Sequence, residues 1–172
     1  AGGTLLSANG GLAATSTVVA DGTLALGADE TIASLTGSGA VNLGANTLGV
    51  GAGSFSGVVG GTGDLQKTGA GTLTLGGANT YTGTTTVSAG TLELTGSLAS
   101  TDVRIGAGST LLSANGGLAA TSTVAANGTL ALGGNEAIGT LTGSGAVNLG
   151  ANTLGVGAGT FSGVVGGTGE LQ

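Results

Sequence analysis

The first residues that could do chemistry are the adjacent acids Asp29 and Glu30. Glycoside hydrolases use two carboxyl groups about 5 to 10 Å apart, so an acidic pair is a candidate for general acid and base. Neighbouring residues of a strand point to opposite faces, however. Residues 1–66 recur as residues 107–172, and in this second copy the pair reads Asn135 and Glu136. The pattern therefore favours a solvated turn over a catalytic pair.

A second set of reactive groups is Lys67, Glu93 and Arg104, which together could serve a polysaccharide lyase. The three residues lie in different segments, and the chain has no tryptophan that could stack on a sugar. We interpret them as surface charges that oppose aggregation. No catalytic residue is predicted.

One stretch is similar to a calcium-binding repeat. Residues 60–65 approach the nonapeptide G-G-x-G-x-D-x-U-x, but the carboxylate of Asp64 falls one residue early, and its counterpart in the later copy is Glu170. Calcium also needs about 6 to 8 oxygen ligands from clustered groups. The sequence predicts neither a metal site nor a cofactor.

Tyr81 is the only tyrosine of the chain. An exposed ring at this position could contact a sugar or a protein partner, which makes Tyr81 the one candidate for a partner contact. The alternative is a packing residue at the corner of a repeating unit, with its hydroxyl group hydrogen-bonded. The surrounding motif favours packing.

The composition excludes several classes of function. The chain has 41 glycines, eight acidic and two basic residues, a net charge of −6, and no proline, histidine, cysteine, methionine or tryptophan. Disulfides, thiolate metal sites and histidine catalysis are thereby excluded. Sparse negative charge argues against nucleic acid and anionic lipid as partners. No run approaches the ~20 apolar residues of a membrane span, so we expect any export signal or anchor elsewhere.

The elements that position these residues are repeats. Residues 1–66 recur as residues 107–172 with an offset of 106 and agree at 56 of 66 positions, whereas residues 67–106 occur once. We expect residues 1–172 to be a single β-solenoid fragment of a longer protein.

A shorter period lies inside the long one. The triplet Gly-Thr-Leu begins at residues 3, 22, 71, 90 and 128, with Ser-Thr-Leu at 109, and most of these starts are separated by the same interval. A period near 20 is typical of solenoids. Polar and apolar residues alternate with period 2 inside the units, which indicates strands. We predict an all-β fold, a parallel β-helix with about 19 to 20 residues and three short strands per coil. The clearest predicted strands are 23–26, 72–75, 91–94 and 102–105.

Asparagines mark the predicted turns. Their amides could stack between coils as a ladder, or they could simply serve as turn residues that tolerate left-handed backbone. The sequence leaves both alternatives open. The residues concerned are Asn9, Asn42, Asn46, Asn79, Asn115, Asn148 and Asn152.

Residues 65–92 resemble the passenger-associated transport repeat of bacterial autotransporters. The match runs from Leu65-Gln66-Lys67 through Gly77-Ala78-Asn79-Thr80-Tyr81-Thr82-Gly83 to Gly90-Thr91-Leu92. The resemblance implies a right-handed parallel β-helix that is exported to the surface of a Gram-negative cell, with an outer-membrane β-barrel elsewhere in the parent chain. It implies a role in passenger folding and transport, and no catalysis.

The expected function is therefore that of a non-enzymatic structural passenger, either an adhesin stalk or a self-associating extracellular fibre. We expect it at the cell surface, anchored in the outer membrane, or secreted. Its partners would be other copies of itself, lateral or end to end, or a ligand on a host or cell surface. The alternative is a carbohydrate-active β-helix enzyme or a glycan-binding module.

Overall fold

The computed structural model describes residues 2–8 and 10–172. In this part of the chain parallel strands stack as a β-solenoid of about nine turns, and no helix occurs. Accordingly, no helix of these residues could span a membrane. The predicted all-β parallel solenoid is confirmed. The strands are β1 (Thr4–Ser7), β2 (Thr17–Val19), β3 (Thr23–Leu26), β4 (Glu30–Gly37), β5 (Ala40–Asn42), β6 (Leu48–Phe55), β7 (Val58–Gly60), β8 (Leu65–Lys67), β9 (Thr72–Leu75), β10 (Ala78–Asn79), β11 (Thr85–Val87), β12 (Thr91–Leu94), β13 (Ser97–Leu98), β14 (Asp102–Ile105), β15 (Thr110–Ser113), β16 (Thr123–Ala126), β17 (Thr129–Leu132), β18 (Glu136–Gly143), β19 (Ala146–Asn148), β20 (Thr153–Phe161), β21 (Val164–Gly166) and β22 (Glu170–Leu171).

The strands form three parallel ladders, which the chain visits in the order A, B, C in each turn. Ladder A contains β1, β3, β5, β7, β10, β13, the first halves of β18 and β20, and β22. Ladder B contains the first halves of β4 and β6, then β8, β11, β14, β16 and the second halves of β18 and β20. Ladder C contains β2, the second halves of β4 and β6, then β9, β12, β15, β17, β19 and β21.

Alternation of side chains explains the strands and the core. In ladder C, Leu73, Leu92, Leu111 and Leu130 lie in register on successive turns, and each is completely buried. Full burial of a leucine contributes about 1.5–3 kcal/mol, so the stack is a large part of the stability. The four strands predicted from the sequence occur as β3, β9, β12 and β14.

The length of a turn varies more than the sequence period suggests. Thr72, Thr91 and Thr110 pair in register, so these turns have the length that the spacing of the Gly-Thr-Leu triplets predicts. The turn from Thr23 to its partner Ala40 is shorter than that spacing. It is shorter because β4 crosses from ladder B to ladder C without an intervening loop. Two of the three expected short strands are thus joined into one long bent strand.

One position of the long strand β6 requires glycine. Gly53 in β6 has a φ of 132°, and a Cβ atom at this position would lie 2.0 Å from the carbonyl oxygen of Leu35 on the preceding turn. No other residue type fits both the backbone conformation and the close approach. Glycine is therefore required at this position of β6.

Corresponding strands of the two copies of the long repeat lie in different ladders. The strand Thr4–Ser7 lies in ladder A, whereas its copy Thr110–Ser113 lies in ladder C. Five turns lead along ladder A from β1 through β3, β5, β7 and β10 to β13, and β14 and β15 add two thirds of a turn. The offset between the copies thus equals five and two-thirds turns, and each copy presents the same sequence on a new face of the solenoid.

We predict that Gly53→Ala lowers the free energy of unfolding by about 2 kcal/mol or more, because the residue is strained and collides with backbone. Gly155→Ala is the matched control, since the nearest atom to a Cβ there is 3.8 Å away and its φ is ordinary. The control should change stability by less than about 1 kcal/mol. Urea denaturation measures both, and equal losses of stability would contradict this account of Gly53.

Candidate functional site

Four polar residues of the segment 65–92, which resembles the transport repeat, point into the core. Lys67, Asn79, Tyr81 and Thr85 are each at most 2% exposed. Buried polar groups are stable only when they are hydrogen-bonded. Their partners therefore define what this segment does.

Lys67 lies on the inner side of β8, between Val50 and Val87 in register. Its Nζ donates to the carbonyl oxygens of Gly69 and, at 3.1 Å, of Ala89 on the next turn. Burial lowers the pKa of this amine from its ordinary value. The lysine thus donates hydrogen bonds to carbonyl groups of two successive turns at the corner between ladders B and C.

Asn79 joins three turns through one amide group. Its Oδ1 accepts from the backbone N–H of Val59 on the preceding turn at 3.0 Å. Its Nδ2 donates to the carbonyl of Gly77 at 3.0 Å and to that of Ser97 on the following turn at 3.2 Å. The side chain thus supplies hydrogen bonds where ladder A passes from β7 to β10.

Tyr81 is completely buried, and its hydroxyl group lies 2.7 Å from Oγ1 of Thr85, which is buried as well. Burial raises the pKa of the phenol well above its ordinary value. This geometry corresponds to the packing interpretation of the residue. An exposed ring for a partner is not present in this conformation, because the side chain fills the core between β10 and β11.

Sequence reasoning missed a buried carboxylate that occurs twice. The carboxylate of Glu136 accepts from the Ser113 hydroxyl and, at 3.2 Å, from the backbone N–H of Leu118. It bridges residues 114–122, which form no strand, to the next turn. Burial raises its pKa, and the hydrogen bonds oppose this shift. The available signal was that glutamate is kept in both copies while its neighbour changes from Asp29 to Asn135.

The first copy has the same arrangement in ladder B. Glu30 accepts from the hydroxyl of Ser7 and, at 3.2 Å, from the N–H of Leu12. Glu30 is 4% exposed. Both glutamates therefore replace ladder hydrogen bonds at an interruption of the ladder.

Asp29, by contrast, is exposed and points away from Glu30, as the alternation predicted. Its Oδ1 accepts from the N–H of Thr47 at 2.8 Å, and Asn135 accepts from the N–H of Thr153 at 2.9 Å. Only an acceptor oxygen is needed, so aspartate and asparagine are interchangeable at this corner. The acidic pair does not face a common space.

The structure does not bring Lys67, Glu93 and Arg104 together. Lys67 is inside, Glu93 accepts from Oγ1 of Thr74 at 3.0 Å on ladder C, and Arg104 forms an exposed ion pair with Asp102 at 2.6 Å on ladder B. The interpretation of Lys67 as a surface charge is wrong, because the inner side of β8 places it in the core.

Asp64 also has a backbone partner, since its Oδ1 accepts from the N–H of Thr84 at 2.7 Å. Within residues 2–8 and 10–172, no group of three or more carboxylates could hold a metal ion. Asp64 is thus another corner acceptor.

The predicted asparagine residues bond mainly to backbone. Asn46 and Asn152 donate at 3.1 Å to the carbonyls of Leu26 and Leu132, each on the preceding turn. No hydrogen bond joins two asparagine side chains in the described part of the chain, so amides link turns through the backbone and not as an amide ladder. Asn9 lies outside the described residues.

We predict that Asn79→Ala lowers the free energy of unfolding by about 1–3 kcal/mol, because it leaves the buried N–H of Val59 without its partner. Asn148→Ala is the control, since its exposed side chain bonds only to the N–H of Gly150. The control should cost about 0.5 kcal/mol or less. Equal effects in chemical denaturation would show that the amide of Asn79 does not join the turns.

Glu136 should make stability depend on pH. A carboxyl group with a raised pKa in the folded state contributes stability that is fully present below its unfolded value, near 4.5, and is lost as pH rises through the folded value. The free energy of unfolding relative to Glu136→Gln should therefore fall as pH rises from about 3 to 8.

Urea denaturation across that range measures the difference. Glu170→Gln controls for loss of a negative charge, because Glu170 is exposed. A difference between wild type and Glu136→Gln that stays constant, or that grows with pH, would contradict the burial of an ionisable group at this position.

Comparison with known proteins adds one finding. The family model described as passenger-associated-transport-repeat matches residues 65–94, which confirms the resemblance predicted for residues 65–92. No curated protein and no solved structure matches the chain significantly. The repeat and the β-solenoid fold fit the passenger of an autotransporter. Residues 65–94, whose polar side chains hold adjacent turns together, thus match the passenger-associated transport repeat.

Proposed function

We propose that the chain is a non-enzymatic structural part of an autotransporter passenger, displayed on the bacterial surface or secreted. Its role is to act as the stalk of an adhesin or to associate with further copies into an extracellular fibre. The observation that carries this proposal is that the characteristic polar groups of the segment face the interior. Lys67 and Asn79 bond to neighbouring turns, and Tyr81 bonds to Thr85 in its own turn.

The shape supports a role as a spacer. About nine turns at ~4.8 Å each give a rod of roughly 40 Å with one continuous core. Each turn contacts mainly its neighbours, so such a rod can be lengthened by added turns without a change in design. Length itself is then a functional property, since it sets the distance between a cell and whatever the rod presents.

Self-association is the second part of the proposal. The partner proposed is a second copy of this chain, with a ligand on a host or cell surface as the other outcome.

No contact among residues 2–8 and 10–172 favours the alternative of a carbohydrate-active enzyme or a glycan-binding module. Asp29 and Asp64 accept hydrogen bonds from the backbone of neighbouring turns. Asp102 is paired with Arg104. These carboxylates thus have structural partners, and an enzyme would have to use them in addition to that role.

The proposal is tested on cells that display the full parent protein, compared with cells in which residues 1–172 are deleted in frame and surface levels are equal. We expect the deletion to reduce aggregation of cells or their adherence, and sedimentation of the isolated chain to show association that grows with concentration. Unchanged adherence and aggregation together with a monomeric chain would overturn the proposal. So would turnover of a glycan that is lost in Asp102→Asn or Glu93→Gln.

A further inference from the structure

We propose that Asn115–Gly116 is a site of spontaneous modification, at which the asparagine side chain loses ammonia and becomes aspartyl or isoaspartyl. The dipeptide follows β15 and lies in the segment 114–122, which forms no strand. The same dipeptide occurs at Asn9–Gly10, whose asparagine lies outside the described residues, and at Asn127–Gly128, which serves as the comparison. The inference is independent of the proposed function.

The reaction needs only water. The backbone nitrogen of Gly116 loses its proton to solvent base and attacks Cγ of Asn115, so that a C–N bond forms and the bond from Cγ to Nδ2 breaks with release of ammonia. Water then opens the five-membered imide at either carbonyl. The net change converts asparagine and water to aspartate or isoaspartate and ammonium. Glycine permits the attack because it has no side chain to obstruct the nitrogen.

The geometry at Asn115 leaves this nitrogen available. Asn115 is exposed, and Gly116 has a φ of 70°. The next two backbone N–H groups are occupied, that of Gly117 by Oγ of Ser113 at 3.0 Å and that of Leu118 by Glu136. The N–H of Gly116 donates to no group among the described residues. Hydrogen bonding therefore does not protect the reacting nitrogen.

Asn127–Gly128 has the opposite environment. Gly128 is buried, and its N–H donates to the carbonyl of Ile105 on the preceding turn at 2.9 Å. Oδ1 of Asn127 accepts from the N–H of Ser144. Attack by this nitrogen requires the ladder to open first, which makes the reaction rare in the folded protein.

The product would not be neutral for the structure. Nδ2 of Asn115 donates to the carbonyl of Thr95 on the preceding turn at 3.4 Å, and a carboxylate cannot donate. An isoaspartyl residue also adds one backbone atom to the turn. Aspartate is tolerated at Asp29, the counterpart of Asn135, because both residues act there as acceptors. Modification at Asn115 therefore weakens the link between two turns and adds a negative charge.

The test follows Asn115–Gly116 and Asn127–Gly128 in one sample. The folded chain is incubated at alkaline pH and 37 °C, and peptide mass spectrometry quantifies conversion at each asparagine, with the same measurement in denaturant as a control for the intrinsic rates. We expect conversion at Asn115 to be at least about tenfold faster than at Asn127 in the folded chain, because only the second site must open. In denaturant the two rates should agree within about threefold, since the dipeptides are chemically alike.

A second variant checks the assignment. Asn115→Gln should abolish the conversion at position 115 and leave the rate at Asn127 unchanged, because glutamine forms the corresponding ring far more slowly. Equal rates at Asn115 and Asn127 in the folded chain would overturn the proposal. So would a stable Asn115 under conditions in which the denatured chain reacts at both sites.

Discussion

The structure depends on one constraint, which is that backbone groups buried between turns must be hydrogen-bonded. Regular ladders meet this requirement over most of the solenoid. Where the backbone pairing is interrupted, a buried side chain supplies the missing partner: Asn79 between β7 and β10, Glu136 at the segment 114–122, and Lys67 at a corner. No buried side-chain nitrogen or oxygen of the described residues lacks a partner. The buried polar side chains thus bond to the backbone groups that the interrupted ladders leave unpaired.

The same constraint explains how the buried polar residues of the transport repeat can fix the register of the turns. A sequence rich in Gly, Thr, Leu and Ala can pair in many registers, since one turn looks much like the next. Buried polar groups discriminate between registers because a displaced turn leaves them unpaired. Apolar positions are far less selective for one register. Corresponding strands of the long repeat can therefore lie in different ladders, as Thr4–Ser7 does in ladder A and Thr110–Ser113 in ladder C.

Much of this architecture could be predicted from the sequence. Alternation located β12, and it also placed Asp29 and Glu30 on opposite sides. The period did not predict the shorter turns, such as the one from Thr23 to Ala40, because joined strands such as β4 depend on how glycine-rich corners bend. The interpretation of Lys67 as a surface charge follows the general rule that lysine is rarely buried. Lys67 nevertheless lies two residues after Leu65 in β8, and this spacing indicates the same, inner side of the strand. The role of Glu136 depends on Ser113 and Leu118, which only the stacking of turns brings together.

The central claim is that the signature residues of the repeat are internal. Lys67 is the only lysine of the chain, so an amine-reactive acylating reagent can modify only this side chain and the α-amino group, which serves as an internal control. The account predicts that acylation of Lys67 in the folded protein is at least about a hundredfold slower than in denaturant, because reaction requires opening of the core. Similar rates in both states, with the α-amino group unchanged, would contradict it.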